Sequence, residues 1–161
     1  MSHDVTAYRP RINRDAVREA CKFYDNNDID VICYDAYIAA TQIASLSRAA
    51  GDPCNQIIYL ALGVMDADHY AGCSGAGARA RFTRDDLCCA LAILDRKDFT
   101  NLQPDQLAIE IMQRLEATIG GKLQTVTHGP HDAEPERRFL QDCLAFFDAY
   151  DYDGEIEIQF A

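Results

Sequence analysis

Apolar positions along this chain recur mostly at helical spacing, and six segments read as helices. Asn13 can cap a first helix from Arg14 to about Asp25, with Val17, Cys21 and Tyr24 facing inward. Asp28 or Asp30 can open a second, longer helix ending near Gly51. Its Ile32, Ala36, Ala39, Ala40, Ile43 and Leu46 suit a central position, where small alanines let neighbours come close. Asp52-Pro53 opens a third, "PCNQIIYLALGVM", by a capping carboxylate and a proline at the first helical position. That segment is apolar over most of its circumference, the mark of a buried helix.

Thr83 with Asp86 resembles a capping box, with Asp in place of Glu or Gln, and opens a fourth helix through Leu94. Pro104 opens a fifth, with Leu107, Ile111, Leu115 and Ile119 on one side and Gly120-Gly121 ending it. The sixth, from about Pro135 to Tyr150, buries Phe139, Leu140, Cys143, Phe146 and Phe147. Two stretches follow a period of two instead: "KLQTVTH" at 122–128 and "EIEIQF" at 155–160. They flank the sixth helix and can pair as a hairpin, which needs helical support to persist in water. The fold expected is therefore mainly α: a bundle of about six helices in one domain, residues 1–161, with a small two-stranded β element near the C-terminus.

Composition adds the partner class. The chain has 161 residues, enough for a core without staples, and 48% of them are hydrophobic. Its net charge of −11 disfavours direct contact with nucleic acid or an anionic membrane and favours a basic protein surface. The longest apolar stretch, Ile57 to Met65, is too short to span a bilayer. Residues 1–22 carry five Arg or Lys and no apolar run, so no secretory leader is expected. Most of the seven cysteines fall in helical patterns as small apolar fillers, which suits a reducing cytoplasm.

Four constellations carry candidate chemistry, and each falls short of a motif. Asp151-Tyr152-Asp153-Gly154 has the rhythm of a calcium loop. Aligning Gly154 to the turn glycine, however, puts Ala149 and Phe160 at the first and last ligand positions. Asp66, Asp68, His69 and Cys73, with His128, His131 and Asp132, are metal-ligand types without a known spacing. "GCSGAGARARFTRDD", residues 72–86, offers small residues, three arginines and a helix start to an anion, but lacks the phosphate-loop lysine. Cys73 and His69 form a thiol–imidazole pair with no third orienting group. No cofactor or metal is expected from these patterns.

Charge placement is more informative. Residues 24–78 hold seven acids against one arginine, and residues 99–161 hold twelve acids against four bases. The first block gathers Asp25, Asp28, Asp30 and Asp35 among Tyr24, Tyr34 and Tyr37. The second gathers Asp148, Asp151, Asp153, Glu155 and Glu157 among Tyr150 and Tyr152. Asp148 and Asp151 stand at a helix C-terminus, where the macrodipole opposes them by about 0.3–1 kcal/mol each. Glu155 and Glu157 share one strand face and repel. Interleaved tyrosines suit an interface core, with rim carboxylates steering association. These residues are the partner-binding candidates.

In size, charge and class the chain is similar to the anti-CRISPR and anti-restriction proteins of phages and plasmids, compact acidic proteins that resemble nucleic acid electrostatically. That resemblance implies an inhibitor occluding a basic, nucleic-acid-binding surface of a target protein. An immunity or antitoxin protein for a basic toxin obeys the same physics. The third alternative is a small enzyme or metal protein around Asp66, His69, Cys73, Arg79 and Arg81.

Overall fold

The computed structural model describes residues 2–24, 30–49, 52, 54–64, 78–96, 113–114, 116–118, 120–121 and 133–161. Its architecture is α+β, not a helical bundle. In chain order the elements are β1 (Ser2–Tyr8), α1 (Arg14–Ala20), β2 (Lys22–Tyr24), β3 (Asp30–Ile32), α2 (Tyr34–Thr41) and β4 (Gln42–Ala49). There follow α3 (Asn55–Leu62), β5 (Ala78–Phe82), α4 (Arg84–Arg96), α5 (Glu134–Tyr150) and β6 (Ile156–Phe160). A four-stranded antiparallel sheet runs in the order β4-β1-β6-β5, and β2 pairs with β3 in a separate two-stranded ribbon.

The correction to the bundle is largest over residues 28–51, expected to be one helix. The structure divides them into β3, the eight-residue α2 and β4. The helical reading set Ile43 and Leu46 on one face, but "QIASLSRA" also alternates. Ala44 and Leu46 pack into the core while Ser45 and Ser47 point out. The alternation prevails because β1 supplies a partner along its whole length, with Val5 opposite Leu46 and Ala7 opposite Ala44. A strand is stabilised by its cross-strand and burial context more than by intrinsic preference. The first helix likewise stops at Ala20, and residues 22–24 become β2. Asn13 does cap it, its Oδ1 accepting from the Ala16 N–H at 3.1 Å.

β6 was expected to pair with residues 122–128, which lie outside the described residues. Among those described, its neighbours are β1 and β5. It buries every second side chain: Ile156, Ile158 and Phe160 have no exposed surface. Together with Val5, Ala7 and Leu46 they form one apolar face, on which α3, α4 and α5 pack through Ile57, Ile58, Leu87, Leu94, Phe139, Leu140 and Phe147. Tyr59 stacks on Phe160 with ring centroids 4.9 Å apart. Burying side chains of this size is worth about 1.5–3 kcal/mol each, so this layer holds the fold. The fifth expected helix, from Pro104, is described only at 113–114 and 116–118, where the backbone is helical.

Candidate functional site: the polar face of the sheet

Alternation that buries one face of each strand presents the other. On β5, "ARARF" turns Ala80 and Phe82 toward the core and Arg79 and Arg81 away from it. On β6, Glu157 and Gln159 point the same way as those arginines. β1 adds Thr6 and Tyr8. The register aligns them in rows: Tyr8 opposite Glu157, itself opposite Arg81, and Thr6 opposite Gln159, itself opposite Arg79. The segment read as offering small residues and three arginines to an anion is therefore a strand where Arg79 and Arg81 fall, and Arg84 begins α4.

The turn after β1 and the start of α1 add three more arginines to this face. Arg14 lies over the Tyr8 ring, 4.2 Å from its centroid, and its Nη2 donates to Glu157 Oε1 at 2.9 Å. Arg79 Nη1 lies 3.9 Å from the same oxygen. Arg9 sits over the rings of Phe146 and Tyr150, at 5.7 and 5.9 Å, and its Nη1 donates to the Tyr150 hydroxyl at 3.4 Å. A cavity of about 340 Å³ opens among Arg9, Arg11, Arg14, Arg81, Glu155 and Glu157. A second, of about 420 Å³, lies beside it between Arg79, Asp15 and Tyr37; Tyr8, Ile12 and Arg14 line both.

Of the predicted partner-binding residues, Tyr152, Glu155 and Glu157 line the first cavity and Tyr37 the second. Asp148 is paired, accepting from Arg84 at 3.0 Å, and the contact raises the Arg84 pKa. Glu157 is shared by Arg14 and Arg79. Tyr152 folds inward against Phe147, 5.5 Å between centroids, and its hydroxyl donates to the Glu155 carbonyl at 3.0 Å. Asp151, Asp153 and Glu155 are exposed and have no cation within ion-pair distance among the described residues. Tyr150 beside them is 63% exposed. Of the first block, Asp25 and Asp28 lie outside the described residues, and Asp30 is placed only as part of β3. Tyr34 and Asp35 are exposed on α2, and Tyr37 borders the second cavity.

Gly154, the residue that suggested a calcium loop, has a packing reason instead. A Cβ there would come within 2.6 Å of Tyr152 Cζ, so the turn needs a residue without one. Asp66, Asp68, His69, Cys73, His128, His131 and Asp132 lie outside the described residues. Among the described residues no cluster of His, Cys, Asp or Glu is arranged to hold a metal ion. Burial raises the pKa of the Cys54 thiol to about 12, assisted by its hydrogen bond with Asp52, and raises that of Cys143 further. Neither suits a nucleophile, which must ionise near neutrality.

Sequence reasoning missed the groove. The signals were the alternation of "SHDVTAY" and "ARARF", which assigns Tyr8, Arg79 and Arg81 to one face, and the three arginines within "YRPRINR". No helix among the described residues is long and apolar enough to cross a membrane. Comparison with family models, with curated proteins and with solved structures finds no match.

Proposed function

We propose that this chain is a protein-binding module that docks on a basic surface of its partner through the turn between α5 and β6. The observation that carries this reading is the state of that turn. Asp151, Asp153 and Glu155 are exposed and without an ion-pair partner among the described residues, and they follow an exposed Tyr150 whose hydroxyl accepts from Arg9. An exposed aromatic ring followed along the chain by three unpaired carboxylates combines apolar anchoring with charge steering. Tyr34 and Ile38, one helical turn apart on α2 and 62% and 44% exposed, add apolar surface of the same kind.

The net charge of −11 extends the reading: a partner whose basic surface ordinarily holds nucleic acid would be occluded by this protein. The test is capture from lysate on the tagged chain at rising salt, followed by the variant D151N/D153N/E155Q. Retention of one basic protein that falls steeply with salt, and with the variant, supports the proposal. Capture indifferent to both overturns it.

A further inference from the structure

The smaller cavity on the sheet face holds three arginines that nothing in the described structure neutralises. Arg9 and Arg11 come from the turn after β1, and Arg81 from β5. None has a carboxylate within ion-pair distance among the described residues, although acids outnumber bases 26 to 15 in this chain. Like charges converge at a cost unless something pairs with them. Two carboxylates do line the cavity, but Glu157 is already held by Arg14 and Arg79, and Glu155 is exposed at its rim.

Arg9 is also fixed in place. Its guanidinium rests on Phe146 and Tyr150, and its Nε is buried with no acceptor. That stacking holds the Arg9 charge beside the cavity it lines. Arg11 adds a third observation. Its φ of 60° places a non-glycine residue in the left-handed region, an energetic cost of the kind retained where a side chain must be aimed.

We infer that this cavity is a binding site for a compact phosphate-bearing anion, a phosphate monoester of about mononucleotide size. Guanidinium forks match phosphate oxygens bidentately, and three of them can address one dianionic group from different sides. The volume, about 340 Å³, falls in the range of small-ligand pockets. A long polyanion is disfavoured, because it would run from this cavity over the acidic remainder of the molecule. A small one is not, since charges beyond about 8 Å are screened at physiological salt. The cavity adjoins the acidic turn, since Glu155 lines it and Arg9 touches Tyr150, but the two readings are tested apart: Arg81→Gln and Arg11→Gly leave the turn's carboxylates in place.

The experiment is titration of the full chain with inorganic phosphate and with adenosine 5′-monophosphate at constant ionic strength, read by calorimetry. Succinate and a short single-stranded DNA serve as comparison ligands. Saturable binding of the phosphates is expected, weakened about tenfold or more in Arg81→Gln and in Arg11→Gly. Glycine adopts φ 60° without strain, so Arg11→Gly removes the cation while sparing the turn. Arg84→Gln, outside the cavity, should bind as the parent does. Absence of saturation, equal affinity for succinate, tighter binding of the DNA than of the mononucleotide, or unchanged affinity in both cavity variants would each overturn the inference.

Discussion

Glu136, with no exposed surface, accepts two hydrogen bonds on one carboxylate oxygen from Arg48, 2.8 Å from Nε and 2.6 Å from Nη2. The pair joins α5 to the edge strand β4, and Arg48 Nη1 also lies 3.7 Å from Asp52 at the approach to α3. Removing one partner of a buried ion pair leaves the other charge desolvated. Glu136→Ala should therefore lower stability by about 3–5 kcal/mol. Replacing both partners, as Arg48→Met with Glu136→Leu, should recover much of that loss. Urea denaturation of Glu136→Ala, of Arg48→Met and Glu136→Leu singly and of the double variant measures both; losses in the double variant equal to the sum of its two single changes would show that the pair is not coupled.

A second expectation concerns the start of α4. Thr83 N–H donates to Asp86 Oδ2 at 2.8 Å, and Asp86 N–H returns a bond to Thr83 Oγ1 at 3.3 Å. The Thr83 hydroxyl, which donates to Asp86 Oδ2 at 2.6 Å, and then the Thr83 N–H hold the Asp86 pKa below the usual carboxylate value. A depressed folded-state pKa contributes stability that is fully present above the unfolded value, near 3.9, and lost as pH falls through the folded value. Thr83→Ala should cost about 1 kcal/mol at pH 7. Asp86→Asn should flatten the acid limb of the stability profile below about pH 4, and an unaltered limb would remove Asp86 from its cause.

Thiol reactivity should divide the cysteines by burial. Cys33, Cys88 and Cys89 are exposed, whereas Cys54 and Cys143 are buried with raised pKa values. At pH 8 a disulfide reagent should label the exposed set rapidly and spare Cys54 and Cys143 until denaturant is added. Peptide mass spectrometry resolves the sites. Rapid labelling of Cys143 in the folded protein would contradict its place between α5 and the sheet.

Much of the helical layer was legible in the sequence because its signals are local. Asn13, Thr83 with Asp86, and the spacing of Phe139, Leu140, Cys143 and Phe147 each specify a helix within a few residues. The sheet was less legible because its evidence is distributed. Five residues of β6 looked like half of a hairpin. Nothing near them announces that Val5 and Ala78, more than 70 residues away along the chain, supply the neighbouring strands. The site followed the same rule. Glu157 was read as a free carboxylate because Arg14 and Arg79, which bind it, are distant in sequence.

The acidic turn allows a test in which stability and binding should move in opposite directions. Asp151 ends α5 in the left-handed conformation, φ 46°, its N–H bonded to the Phe147 carbonyl. Glycine is the usual residue at such a position, since it lacks the Cβ that opposes a positive φ. Asp151 also sets a negative charge at the negative end of the helix. Both effects point the same way, so Asp151→Gly should raise stability by about 1 kcal/mol, read as a higher urea midpoint with an unchanged slope. The same change removes one of the three uncompensated carboxylates beside Tyr150 and should weaken retention of a basic partner. A variant both more stable and less adhesive would fit a residue kept for contact at the fold's expense. If the midpoint rises and binding is untouched, the turn is only a helix end, and the proposed docking surface must lie elsewhere.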